Sequence, residues 1–70
     1  MVDKILDYVK NNHPTLKIED DGGRIYLIRG EKDCIELIKP TLQLIVYKHS
    51  SKSMNNVMGE IQSFINLIKG

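Results

Sequence analysis

The side chains best suited to chemistry in this 70-residue chain are one cysteine and two histidines. A nucleophilic mechanism needs a thiolate, a nearby base and a group that orients the base. Cys34 could be the nucleophile, and His13 or His49 could be the base. However, Cys34 lies between a charged turn and an apolar run, where a cysteine usually serves as a small buried apolar residue. We therefore expect no catalytic residue and predict that the chain is not an enzyme.

The acidic residues and glycines also lack the spacing of a chemical site. Glu19, Asp20 and Asp21 precede Gly22 and Gly23, which indicates the tip of a hairpin in water rather than a desolvated acid. The isolated histidines and cysteine do not have the spacing of metal ligands. No glycine pattern matches a phosphate-binding loop. We therefore predict neither a metal nor a cofactor.

The best candidate for an anion site is the basic loop, residues 48–53, with the sequence Lys-His-Ser-Ser-Lys-Ser. It is predicted to join a strand to the last helix, where free N–H groups and the helix dipole favour a negative group. Ser53 is expected to cap this helix. Such a site suits the phosphates of DNA or RNA, and its contact residues would be Arg29, Lys48, His49, Ser51 and Lys52. The alternative is a solvated loop that contains only a helix cap.

The layout of the chain resembles that of double-stranded-RNA-binding domains. A helix, three strands and a second helix follow one another, and a loop with Lys48 and Lys52 opens the last helix. The resemblance implies contact with nucleic acid through that loop. The Gly-x-Gly that precedes the loop in this family is absent, as is the run of lysines and alanines along its last helix. The resemblance is therefore limited to the arrangement of the elements.

Two amphipathic helices are predicted at the ends of the chain. Residues 2–12 place apolar side chains at helical spacing, and the Asn-Asn-His-Pro segment that follows ends the helix. Residues 54–68 carry a wide apolar stripe along a second helix. The opposite side of this second helix, the α2 stripe, is small and neutral where glutamates and lysines are usual; its residues are Asn55, Gly59, Gln62 and Asn66. We expect this stripe to contact a protein partner, although a merely polar exposed surface is the alternative.

Three or four antiparallel strands are predicted between the helices. Residues 16–19 and 24–29 alternate in polarity around a glycine-containing turn, which indicates a hairpin. Residues 34–39 fit either a strand or a short helix, and the strand is slightly preferred. Residues 41–47 form a strand with apolar side chains on both faces, so we expect this strand to be central in the sheet.

The simplest packing of these elements is a two-layer α+β domain that comprises residues 1–70. Both helices would then lie on one face of the antiparallel sheet. The other face would carry Tyr26, Ile28, Ile45 and Tyr47, which are too apolar to face water comfortably. We expect a homodimer through this face, because a short chain without a disulfide buries little core. The alternative places one helix on each face and needs no dimer.

Composition and charge limit the classes of function. Apolar residues make up 41% and charged residues 27% of the chain, as in folded proteins. No signal peptide or membrane span is predicted, and one unpaired cysteine fits a reducing compartment, so we expect a cytoplasmic protein. Residues 1–36 carry a net charge of −2 and residues 37–70 a net charge of +3, which sum to +1. This charge provides little field to attract a polyanion.

The sequence thus predicts a small non-catalytic module that binds itself and an unknown protein partner. The alternative function is a nucleic-acid-binding module that uses the basic loop.

Overall fold

Two helices and four strands make up the fold, and the computed structural model describes every residue from 1 to 70. The elements are helix α1 (Val2–Asn12), strands β1 (Lys17–Asp20), β2 (Arg24–Arg29), β3 (Asp33–Ile38) and β4 (Gln43–Val46), and helix α2 (Lys52–Lys69). The strands form one antiparallel sheet in the order β1-β2-β3-β4, so each strand pairs with its neighbour in the sequence. The predicted α+β class is therefore confirmed, with the order α-β-β-β-β-α.

Both helices pack on the same face of the sheet. Ile25 and Leu27 of β2 pair with Leu37 and Ile35 of β3, and all four side chains are fully buried. Because side chains alternate along a strand, these four point to one face. The same apolar cluster includes buried residues from both helices, namely Ile5, Val9, Met54, Val57, Ile61 and Ile65. The alternative with one helix on each face is therefore wrong.

The helices follow most of the signals in the sequence. Helix α1 has the predicted bounds. Helix α2 begins at Lys52, two residues before the predicted start, and Ser51 rather than Ser53 is its N-cap residue. The Ser51 hydroxyl makes no capping bond to the helix; it donates to Asp33 at 3.0 Å and contacts the Ser53 hydroxyl at 3.0 Å. The residue at the start of α2 is thus bonded to a distant part of the chain.

The strands differ from the prediction in the position of β4. The ambiguous segment forms a strand, β3, as preferred, but β4 lies at the edge of the sheet and not in its centre. The four strands follow one another in space as in sequence, so the last strand has only one neighbour. The apolar side chains on the two faces of β4 lie in different surroundings. Leu44 and Val46 pack against the core, whereas Ile45 lies on the side without helices.

The turns between the strands use left-handed backbone conformations. Gly22 in the first turn has a φ of 82°, and Gly30 in the second has a φ of 65°. In the third turn Leu42 has a φ of 61°, a conformation that residues other than glycine rarely adopt. The Leu42 side chain packs against the core. The side chain is thus partly buried in spite of the unfavourable backbone conformation.

Candidate interaction surfaces

The sheet face without helices, the open face, is lined at its centre mainly by apolar side chains. It is built from alternate residues of β2, β3 and β4 and from the residue that follows β4; the central ones are Tyr26, Ile28, Cys34, Glu36, Ile38, Ile45 and Tyr47. The four side chains predicted for self-association are all among them. Most of these residues are half-buried by their neighbours, and Ile45 at the edge is 39% exposed.

A charged residue, Glu36, lies in the middle of the open face. It is the only polar residue in the buried class, with 5% of its surface exposed. One carboxylate oxygen lies 2.9 Å from the Arg24 guanidinium, and the other accepts a hydrogen bond of 3.0 Å from the Tyr47 hydroxyl. Because both oxygens have a partner, the charge is compensated where water has little access.

The bond to Glu36 also changes the ionisation of Tyr47. As donor to a carboxylate, the Tyr47 hydroxyl has a pKa raised above its ordinary value of 10.0, and partial loss of solvation and repulsion by the negative charge of Glu36 act in the same direction. The phenol therefore loses its proton, and with it the bond to Glu36, at a higher pH than an ordinary tyrosine does.

The structure does not bring the candidate nucleophile and bases together. Cys34 is half-buried on the open face, and burial, together with the charges of Glu36 and Glu19, raises the pKa of its thiol. A raised pKa lowers the fraction of reactive thiolate. His13 ends α1 and lies 3.8 Å from Glu60 of α2, whereas His49 packs edge-on against the Tyr47 ring. No hydrogen bond joins the Cys34 thiol to either histidine.

The predicted anion site at the start of α2 already holds an internal carboxylate. Arg29 donates to Asp33 through Nε at 3.0 Å and Nη2 at 2.8 Å. The same carboxylate accepts the Ser51 backbone N–H at 2.7 Å, and Arg29 also contacts the Ser53 hydroxyl. The Ser51 N–H, followed by Arg29, lowers the pKa of Asp33 below its ordinary value. Asp33 thus already pairs with Arg29 and Ser51, two of the residues expected to contact an external phosphate.

The other basic residues of the loop, Lys48, His49 and Lys52, are exposed. Ser50 ties the loop to β3, because its hydroxyl accepts the Cys34 N–H at 3.0 Å. The structure therefore brings together Arg29 and Ser51 of the predicted site, but around Asp33. Contact with nucleic acid stays a prediction, and no observation here favours it.

The α2 stripe lies on the outer side of the helix. Asn55, Gly59 and Asn66 are exposed and Gln62 is half-buried, with its amide donating to Asn66 at 3.0 Å. A Cβ atom added to Gly59 would meet no atom within 4 Å. The fold itself therefore gives no reason for glycine at this position. Binding of a protein partner by this stripe stays a prediction.

Sequence reasoning missed three charged residues that organise these surfaces: Arg24, Asp33 and Glu36. Glu36 did give a signal, since it alternates with Cys34 and Ile38 and so had to share their face. Its partner could not be read from the sequence. Arg24 lies opposite Ile38 in the register and reaches Glu36 diagonally on the neighbouring strand β3.

No pocket that could enclose a small ligand is present in the molecule. No group of three or more His, Cys, Asp or Glu side chains is placed to hold a metal ion. Neither helix has the length and the apolar content needed to cross a lipid bilayer.

The fold and the open face define a two-layer α+β domain with one uncovered sheet face. No protein-family model matches the chain, and no curated protein or solved structure is found to be similar to it. Inference about function therefore rests on the geometry of the surfaces described above.

Proposed function

We propose that this chain is a non-catalytic interaction module that forms a homodimer through its open face. The state of Glu36 is the observation that carries the proposal. An unpaired carboxylate in the centre of the face would oppose docking, because burial of an uncompensated charge is costly. Here Arg24 and Tyr47 already bind both oxygens, so a second surface can cover Glu36 without leaving it unpaired.

The charges of the open face favour a second copy as the occupant. Lys17 and Glu19 lie on the same face of β1 and have opposite signs, and Arg24 is paired with Glu36. The formal charges of the face therefore cancel. A surface whose charges all had the same sign would repel a second copy of itself and attract an oppositely charged partner. This face has no net formal charge, so it does not repel a second copy.

The size of the open face indicates a weak dimer. Four strands about 4.8 Å apart and up to six residues long cover roughly 20 by 20 Å, or about 400 Å² in each copy. The total of about 800 Å² is below the roughly 1,000–1,200 Å² of stable specific interfaces, in the range of weak and transient contacts. We expect dissociation in the micromolar range, so association must be measured up to high protein concentration.

We further propose that the dimer is cytoplasmic, since an unpaired cysteine is typical of a reducing compartment. The dimer would present the α2 stripe of each copy to a protein partner.

The substitution Tyr26→Lys tests the open-face dimer. The new ammonium group would lie in one row with Glu19 and Glu36, so the isolated fold keeps favourable contacts, but a second copy would bury an extra charge. In sedimentation experiments we expect the average mass of the native protein to rise above 8.0 kDa with concentration, and that of Tyr26→Lys to stay lower. Asn55→Lys adds the same charge on α2 and should match the native protein.

Cys34 provides a second measurement, because it is the only cysteine and lies on the open face. In the native protein its labelling by a thiol reagent should slow as concentration rises, and in Tyr26→Lys the rate should be independent of concentration. Circular dichroism checks that each variant is folded. If Tyr26→Lys has the same mass and the same labelling rates as the native protein, the open face is not the interface.

A further inference from the structure

The two edge strands of the sheet differ in charge. Strand β1 carries three charged residues in four positions, Lys17, Glu19 and Asp20, and charged side chains protect an edge from pairing with another chain. Strand β4 has the sequence Gln-Leu-Ile-Val and carries no charge. The β4 edge is therefore the unprotected edge of the sheet.

The register of the sheet determines which main-chain groups of β4 point outward. The Tyr47 N–H donates to the carbonyl of Cys34, the residue directly opposite on β3. Hydrogen-bonded pairs alternate along an antiparallel ladder, so Ile45 also bonds to β3, whereas the N–H and C=O groups of Leu44 and Val46 point away from the sheet. Neither of these two residues takes part in a hydrogen bond outside the ladder.

The segments next to β4 leave this edge accessible. After Tyr47 the chain turns back toward β3, where the Ser50 hydroxyl bonds to main-chain groups of Cys34. Before β4, the Leu42 N–H bonds to the carbonyl of Ile38 and closes the turn within the hairpin. Ile45 is one of the three large apolar residues that the fold leaves exposed.

We propose that the β4 edge pairs with the β4 edge of a second copy, antiparallel about a two-fold axis, to give one continuous sheet. With the axis at Ile45, the outward groups of Leu44 meet those of Val46 in the second copy, and each such pair exchanges two N–H···O bonds. The two copies of Ile45 then face each other as a non-hydrogen-bonded pair, with Cα atoms about 4.5 Å apart. This contact covers the exposed Ile45 side chain.

This interface does not depend on the open-face dimer. Edge pairing leaves the open face uncovered, so each interface can form without the other. If both form and their two-fold axes intersect at right angles, the product at high concentration is a tetramer. The test of the edge is therefore made with Tyr26→Lys present, which weakens the open-face contact and leaves β4 unchanged.

Disulfide cross-linking tests the register. In the Cys34→Ser, Tyr26→Lys background, Ile45→Cys places the two thiols within the Cα separation that a disulfide requires. The matched control is Gln43→Cys, since residue 43 would lie opposite residue 47 and the two copies of residue 43 would be about 14 Å apart. Under mild oxidation we expect the Ile45→Cys dimer to form at least about tenfold faster than the Gln43→Cys dimer. Equal rates would overturn the proposed pairing.

Amide hydrogen exchange provides a second measurement without an added cysteine. With Tyr26→Lys alone, the amides of Leu44 and Val46 should exchange about tenfold or more slowly at high than at low protein concentration. The Ile45 amide bonds to β3 in either state and serves as the internal control. If the Leu44 and Val46 amides exchange at the same rate at both concentrations, the edge does not pair.

Discussion

Glu36 and its two partners allow one charged side chain to lie within an apolar sheet face. The Arg24 side chain is 56% exposed, so water screens its pair with Glu36 and the pair itself adds little to stability. The contact with Arg24 matters because it gives one Glu36 oxygen a partner, while Tyr47 is the partner of the other oxygen. The arrangement of Arg24, Glu36 and Tyr47 therefore satisfies Glu36 within the face, as the proposed contact requires.

The raised pKa of Tyr47 leads to a prediction in alkaline solution. A pKa that is higher in the folded than in the unfolded chain gives stability that is fully present below about pH 10 and is lost as pH rises through the folded-state value. In an ultraviolet titration we expect a late ionisation step, above the ordinary range of a tyrosine, that belongs to Tyr47. Tyr47→Phe should remove this late step, and Glu36→Gln should move it toward the ordinary range. A late step that persists in Tyr47→Phe would contradict the assignment.

At the scale of the elements, most of the fold could be predicted because local patterns determine it. Helix α1, the first hairpin and the strand character of β3 follow from periodicity and turn residues. The position of β4 could not be predicted from its pattern, because apolar residues on both faces do not distinguish a central strand from an edge strand with one uncovered face. At the start of α2, Ser51 is hydrogen-bonded to Asp33, which is distant in sequence and could not be recognised as its partner from local patterns.

For the candidate surfaces, the sequence predicted which apolar residues share the open face but not the contacts between charged side chains. Alternation of residues gave the apolar members of the open face, since it needs no knowledge of strand pairing. The contact between Arg24 and Glu36 required the register of β2 and β3, which the sequence does not contain. For the same reason, the pairing of Arg29 with Asp33 at the basic loop was not foreseen.

Gly59 allows a prediction about helix α2. Glycine in a helix is less favourable than alanine by about 0.5–1 kcal/mol, and space is available for a Cβ atom. Gly59→Ala should therefore raise the free energy of unfolding by about this amount in a urea titration. Ser63→Ala, at another exposed position of α2, is the control and should give a smaller increase. A decrease with Gly59→Ala would mean that the fold itself needs glycine at this position.

At the scale of the whole molecule, the thermal stability should depend on protein concentration. A second copy that binds only the folded chain shifts the unfolding equilibrium, so the midpoint of thermal unfolding rises with concentration. We expect this rise in the native protein and a smaller rise in Tyr26→Lys, measured by calorimetry over a wide concentration range. A midpoint that is independent of concentration in the native protein would contradict self-association by either route.

The packing of both helices on one face also has a consequence during synthesis. The strands can pair one after another as they leave the ribosome, but the core remains incomplete until the buried residues of α2, among them Ile61 and Ile65, have emerged. For that interval a nascent sheet would expose apolar side chains on both faces, a condition that attracts chaperones and favours aggregation.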